Sequence, residues 1–267
     1  MITIHPLYSS SSGNMFHICS NKTDILIDVG VSYKAIITGL KSINKDISDI
    51  KAILITHEHI DHIKGLPLLC RKNDIPIYAC GKTADYLENY LNEQNIKSKI
   101  IKVDYEQRFK VLDLEIIPFE TSHDAIYPCG YDIFSNGKHI TYATDLGFIS
   151  DDVVSHLKDS NYTILEANYD KTMLEFGPYP FNTKRRIAGV KGHLSNYDTA
   201  NLIATLYSSN PSTSNYIISH MSENNNTIDV ARDCINFVLQ ENGINKDCIN
   251  LNFASKSLSS EEYVVLW

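Results

Sequence analysis

Short apolar runs alternate with amphipathic stretches along the whole chain. Residues 2–7, 15–19, 23–30, 52–55, 75–79, 99–103 and 112–119 are short, aliphatic or β-branched, and bounded by polar turn residues, so they predict strands. The runs 130–134, 139–143, 162–165, 216–218 and 249–253 continue the series. Ser135-Asn-Gly-Lys138 between two of them is a two-residue hairpin signal, and Ser9 to Asn14 reads as a tight polar turn. Between the strands, helical spacing predicts helices over 33–43, capped by Ser32, and over 65–71, 83–91, 151–157 and 227–239. A basic helical stretch reaches Ile187, and Gly192-His-Leu-Ser-Asn196 opens a helix through about Tyr207. Interleaved strands and helices with no low-complexity linker predict an α/β (α+β) class with layered sheets, as a single domain over residues 1–267.

The run over 52–55 stops at Thr56, and four metal-ligand types follow within six residues: His57, His59, Asp61 and His62. Side chains alternate along extended chain, so His57, His59 and Asp61 share a face while Ile60 points into the body of the protein. His62 rejoins that face only if the backbone turns there, as at a helix start. Imidazole and carboxylate together suit zinc, manganese or iron. No Lys or Arg interrupts the cluster.

Composition narrows the setting. The formal charge is −8, which disfavours a general polyanion binder. Yet Lys171 to Lys191 carries five cations against Glu175 alone, with Lys184, Arg185 and Arg186 consecutive. The six cysteines form no Cys-x-x-Cys pair and read as reduced core thiols of a cytoplasmic protein. No stretch reaches membrane-spanning length, and the N-terminus lacks the pattern of a secretory signal, so no membrane is expected.

Polar residues recur just past predicted strand ends: Asp28, His123, Asp145, Glu166 and His220. Each alone reads as a turn former, a cap or a satisfied histidine. Together with His57-x-His59-x-Asp61-His62 they resemble the signature of the metallo-β-lactamase superfamily. That resemblance covers essentially the whole chain and implies a four-layer αβ/βα sandwich with a dinuclear metal site. It implies that His57, His59 and His123 hold one ion, that Asp61, His62 and His220 hold the other, that Asp145 bridges, and that Asp28 orients a ligand histidine. Ser10-Ser-Ser-Gly-Asn14, Leu26-Ile-Asp-Val-Gly30, His123-Asp-Ala125, Glu166-Ala-Asn168, Gly177-Pro-Tyr-Pro180 and Gly192-His-Leu-Ser-Asn196 resemble the WalJ/YycJ (VicX) subgroup, which is associated with 5′-to-3′ exonuclease action on double-stranded DNA. The last third is also similar to tRNase Z, whose Glu, Gly-His-Ser and His-x-Ser positions Glu166, His193 and His220 fill. Tyr169 departs from the pattern, standing where relatives often have His.

A nuclease built this way uses two divalent cations roughly 3.5–4 Å apart to hold a hydroxide and polarise a phosphoryl oxygen. The leaving alkoxide then needs a proton, and His193 oriented by Glu166 is the candidate donor. Asp61, Glu166 and His193 are therefore the expected catalytic residues, with Asn14, Asn168, Lys184, Arg185 and Arg186 as phosphate contacts. The expected partner is nucleic acid, DNA rather than RNA. A thioester or lactone hydrolase on the same scaffold is the competing enzyme class, and a non-catalytic regulatory protein the third reading. Redox iron chemistry is disfavoured, because relatives of that kind carry Glu at the position of His59.

Overall fold

A computed structural model describes residues 2–255 and 263–265. Its strands form two sheets with interspersed helices, the mixed α/β class that the sequence predicts. Contacts divide the chain into two compact units. One takes Met1–Glu120, Ala125–Lys138 and Ser255–Trp267, the other Thr121–Asp124 and His139–Ala254.

In the first unit, β1 (Ile2–Ser10) and β2 (Gly13–Cys19) form an antiparallel hairpin, and β3 (Asp24–Ile27) pairs with β2. The polar stretch read as a turn from Ser9 to Asn14 is mostly strand, because only Ser11 and Ser12 leave the ladder. Helix α1 (Tyr33–Ser42) starts at Ser32, whose hydroxyl accepts from the Ala35 N–H as predicted. Strand β4 (Ile50–Ile55) then pairs parallel to β3. Helices α2 (Ile60–Ile63) and α3 (Leu66–Lys72) follow, then β5 (Ile77–Cys80), α4 (Gly81–Glu93) and β6 (Ile100–Val103), with β4, β5 and β6 all parallel. The segment Tyr263–Val265 pairs with the outer side of β1. Alternation fixes the packing: Leu26, Ile53, Ile55, Ile77 and Ala79 share a fully buried cluster with Ile36 and Leu40 of α1, Leu66 and Leu69 of α3, and Leu87 and Leu91 of α4. Each of the leucines and isoleucines contributes about 1.5–3 kcal/mol on burial.

Strands β7 (Phe109–Val111), β8 (Leu114–Glu120) and β9 (Cys129–Ser135) complete this unit as an antiparallel meander. Sequence pattern predicts one strand over 112–119, whereas the structure has β7 before it and starts β8 at Leu114. The break comes at Leu112, which takes a positive φ of 52° and turns outward. Asn136 and Gly137 have φ of 51° and 73°, the left-handed pair that a two-residue turn needs.

The second unit is a set of βαβ crossovers. Strands β10 (Lys138–Ala143), β11 (Tyr162–Glu166), β12 (Asn215–Ser219) and β13 (Asn250–Phe253) run parallel and in that order. Helix α5 (Asp151–Leu157) links the first pair, with Ser150 as N-cap. The expected single basic helix is two: α6 (Lys171–Phe176) and α7 (Phe181–Ile187), separated by Gly177-Pro-Tyr-Pro180, since proline cannot continue α6. Helix α8 (Asn196–Ser209) begins at a Ser195–Asp198 capping box, and α9 (Ile228–Glu241) leads to β13. Two cysteines, Cys80 and Cys129, are fully buried. Cys248, expected in the core, is exposed on the turn before β13. Among the described residues no helix is long and apolar enough to cross a membrane.

Candidate metal centre

In the first unit the donors hang from the end of β4. Its last residues are fully buried, which fixes where Thr56 leaves the sheet. Asp28, just past β3, accepts from the Thr56 N–H at 2.9 Å and from the Thr56 hydroxyl at 2.9 Å. Its Oδ2 also lies 2.7 Å from His62 Nδ1. Because the Thr56 hydroxyl donates to Asp28, it accepts from His57 Nδ1, 3.0 Å away. Both imidazoles are thereby held with Nδ1 protonated and Nε2 as the basic nitrogen, the tautomer a metal requires. Burial pushes the Asp28 carboxyl up, against the opposing pull of His62 and Thr56. The rings of His57 and His62 lie 4.0 Å apart by centroid, and those of His57 and His59 4.6 Å.

The backbone turns into α2 at His59, so His62 rejoins the other donors as expected for a helix start. The same turn overrides strict alternation: Ile60, expected inside, is 62% exposed. Two glycines let the chain close round this loop. A Cβ on Gly30 would lie 1.6 Å from the Asp61 carbonyl oxygen, and one on Gly13 2.8 Å from the Gly30 oxygen. Asn14, predicted as a phosphate contact, is buried, with its amide nitrogen 3.3 Å from His62 Nε2 and 3.4 Å from the Asp61 carbonyl.

In the second unit the donors come from neighbouring parallel strands that end at one edge. Ala143 of β10 pairs with Leu165 of β11, and Glu166 pairs with Ser219 of β12. Asp145, Glu166 and His220 therefore sit at or just past three adjacent C-terminal ends. Asp145 and His220 take φ of 59° and 50°, as does Asp28 at 59° in the first unit. Left-handed backbone at a non-glycine residue costs of order 1–3 kcal/mol and aims these side chains out of the strand direction. Asp145 Oδ1 lies 3.5 Å from His220 Nε2, 3.6 Å from His193 Nδ1 and 3.7 Å from His123 Nε2. His123 is held by its Nδ1, 3.0 Å from the Gly192 carbonyl, and His220 by the Asn168 amide, which donates to the His220 carbonyl at 2.8 Å. Asn168, another predicted phosphate contact, is buried in that role.

Glu166 is the most constrained group of the unit. It is fully buried, its Oε1 accepts from the Leu146 and Leu194 N–H groups at 2.6 and 3.0 Å, and its Oε2 lies 3.0 Å from His193 Nδ1 and 3.3 Å from His220 Nδ1. Burial pushes its carboxyl up, but His193 and His220 outweigh it and hold the group below its ordinary value. His193 lies in the loop before the Ser195 cap rather than in α8, with its N–H donated to the Ile187 carbonyl at 2.9 Å and its side chain 17% exposed. Asp145, Glu166, His193 and His220 each bring a donor atom within 4.8 Å of the others.

The predicted cations are placed differently from one another. Arg186 clasps Asp124 through Nε at 2.5 Å and Nη2 at 3.0 Å, while Lys184 donates to the Glu175 carbonyl at 2.7 Å. Arg185 is exposed. Sequence reasoning misses Thr56, Asp124 and Ser122, whose hydroxyl clamps the loop after Asp145 through the Phe148 backbone. Only Thr56 carries a signal, its place directly before His57.

The imidazole and carboxylate donors, with tautomers fixed by Asp28 and Thr56, fit divalent cations. Residues 23–221 match the family model described as beta-lactamase superfamily domain. The chain is 37% identical over 238 residues to exodeoxyribonuclease YycJ of Bacillus anthracis, covering 89% of both chains. It is also 37% identical over 229 residues to exodeoxyribonuclease WalJ of Streptococcus pneumoniae, covering 84% of this chain and 83% of the relative. The metallo-β-lactamase fold protein YhfI from Bacillus subtilis superimposes with a TM-score of 0.70 at 12% identity, covering 99% of this chain and all of that one. With strand-end donors of this type and relatives matched over most of its length, the chain belongs to the metallo-β-lactamase superfamily, in the WalJ/YycJ group.

Proposed function

We propose that this protein is a metal-dependent exonuclease that hydrolyses phosphodiester bonds of double-stranded DNA from the 5′ end. The observation that carries it is the pair of buried Glu166 and half-buried His193 beside Asp145 and His220, in a chain whose relatives named above are exodeoxyribonucleases. Thioester hydrolysis expels a thiolate, which departs without such a pair. We carry forward the ligand assignment implied by the resemblance: His57, His59 and His123 for one ion, Asp61, His62 and His220 for a second, with Asp145 shared. Zinc or manganese suits this His-rich set. Bound cations would supply Lewis acidity at the phosphoryl group and a nucleophile at neutral pH.

The chain's own residues do the rest. Glu166 stays ionised and fixes the His193 ring through Nδ1, so that His193 Nε2 is the atom that delivers a proton to the departing oxygen. Asp28 and Thr56 hold the two histidine tautomers. Asp61 is both a ligand and a candidate to orient the attacking water. Arg185 contacts phosphates away from the reacting bond. The family match runs through both compact units, which supports reading the chain as one domain. Six unpaired cysteines agree with a cytoplasmic setting.

The test is digestion of 5′- and 3′-end-labelled duplex DNA, single-stranded DNA and RNA by zinc- and manganese-loaded protein. Stepwise release from the 5′ end of duplex DNA is expected. Cleavage of thioesters with no action on any nucleic acid would overturn the assignment.

A further inference from the structure

The second unit holds a cavity of about 590 Å³ between the Tyr169 segment and helices α6, α7 and α8. That size falls within the roughly 300–1,000 Å³ of small-ligand sites. Its walls are two aromatic rings, Tyr169 and Phe181, with Lys171, Lys184, Glu175 and Asp198 around them. Tyr169 is buried, whereas Phe181 stands 76% exposed at the mouth, where its ring is accessible to a ligand. Charge is balanced, two cations against two carboxylates, which is a poor match for a phosphate cluster. It suits a flat group carrying both donors and acceptors at its edge.

Nucleobases have that character. Every base offers a π-face to aromatic rings, and its edge combines N–H donors for carboxylates with carbonyl or ring-nitrogen acceptors for ammonium groups. The cation and anion sites are organised in advance. Lys171 Nζ lies 3.6 Å from Asp198 Oδ1 and 5.1 Å from the Tyr197 ring centroid, and Asp198 Oδ2 accepts from the Ser195 hydroxyl at 2.5 Å. Lys184 spends one donor on the Glu175 carbonyl and keeps two. Burial, with Asp198 and Glu166, pushes the Tyr169 phenol up to about 12, so it remains a neutral donor at physiological pH.

The cavity is also tied to the reacting end of the unit. Tyr169 follows Glu166 by three residues, at most about 10 Å of extended chain. It bridges to Ser195, two residues past His193, and its carbonyl accepts from the Asn196 N–H at 2.9 Å. On the far side, Asn224 of the loop after His220 donates to the Tyr179 hydroxyl at 2.8 Å, holding the α6–α7 connection. Such a reach corresponds to one to three nucleotides at about 3.4 Å per stacked nucleotide.

We infer that this cavity seats one unpaired base of the DNA strand, a few nucleotides from the scissile phosphate, stacked between Phe181 and Tyr169. The inference rests on the nuclease reading and gives it a second recognition point.

The experiment measures affinity of metal-loaded protein for a duplex with a short single-stranded 5′ overhang, its linkages phosphorothioate to block cleavage. An abasic site is walked through the overhang one nucleotide at a time. At one position, loss of the base is expected to weaken wild-type binding about 5- to 150-fold, the range for one base on an aromatic side chain. In Phe181→Ala that position should lose its special sensitivity. Lys171→Ala should reduce it in part, and serves as a second variant should Phe181→Ala fold poorly. The base analogue 2-aminopurine at the same position should be quenched on binding to wild type and not to Phe181→Ala. Cleavage of the unmodified duplex is followed in parallel. If wild type cuts DNA but no position responds to base removal, the base seat is overturned alone. The same holds if the sensitivity persists unchanged in both variants. If wild type cuts no nucleic acid, the nuclease reading fails and the seat with it.

Discussion

Replacing Glu166 by Gln tests how the proton donor is set up. The side chain keeps its shape, and its carbonyl oxygen can still accept from the Leu146 and Leu194 N–H groups at the Oε1 position. The amide nitrogen then stands where Oε2 was, 3.0 Å from His193 Nδ1 and 3.3 Å from His220 Nδ1. A donor faces nitrogens that faced an acceptor, so His193 loses its charged partner and its ring is free to change tautomer. Hydrogen bonds to charged groups are worth about 1.5–3 kcal/mol, which is about 10- to 150-fold in rate. His193→Ala removes the donor itself and should cost about 10²–10⁴. The double variant should be little worse than His193→Ala, because the two act as one unit. Single-turnover cleavage of end-labelled duplex at saturating protein reads these effects on the chemical step. The same variants on bis(p-nitrophenyl) phosphate should be impaired much less, since nitrophenolate leaves without a proton. Metal content measured alongside guards the reading. A His193→Ala protein that has lost its metals, or one equally impaired on both substrates, would refute the proton-donor role.

Other outcomes follow from the same geometry. Asp145→Ala removes the oxygen that lies 3.5–3.7 Å from three histidine nitrogens, so elemental analysis should show a fall from about two ions per chain, the number such hydrolases use, to one or fewer. Arg185→Ala should lower the salt slope of duplex affinity by about 0.9, whereas Arg186→Ala, whose guanidinium is occupied by Asp124, should change it far less. Asp24 is pushed up by burial but held below the ordinary carboxylate range by His17 and Lys45, and Asp113 likewise by Thr23 and Ser20. Folded values below unfolded ones mean stability that is present above about pH 4 and lost as pH falls through the folded values. The urea midpoint of Asp24→Asn should therefore lie below wild type at pH 7 and converge with it in acid. Gly30→Ala places a methyl against the Asp61 carbonyl and should lower the melting temperature by an amount equivalent to about 1–3 kcal/mol.

The turn that gathers His57, His59, Asp61 and His62 is legible in sequence because burial of β4 and the turn at His59 are both local events, written in an aliphatic run and a dense His/Asp cluster. Ile60 departs from alternation because the chain has already entered α2 at that residue. The strand-end donors of the second unit were visible only as isolated polar residues, since their convergence depends on strand register, which periodicity does not report. Asn14 and Asn168 look like substrate-facing amides in sequence, yet Asn14 is buried against His62 and Asn168 against His220. The split of the basic stretch into α6 and α7 was written in Gly177-Pro-Tyr-Pro180. The cavity beside Tyr169 has no signature in the sequence pattern, because its aromatic and charged walls come from three separate stretches of chain.

The in-register ends of β10, β11 and β12 bear on how freely this scaffold can be redesigned. Neighbouring strands stand about 4.8 Å apart whatever connects them, so the spacing of Asp145, Glu166 and His220 is inherited from the sheet ladder. The connecting segments do not set it. Lengthening the exposed turn between α8 and β12, near Pro211 and Ser212, changes only loop-closure entropy, about 0.6 kcal/mol for each doubling of length. Reporter peptides or affinity tags inserted there should leave the donor geometry in place, making that turn a handle for attaching the protein to surfaces or to other enzymes.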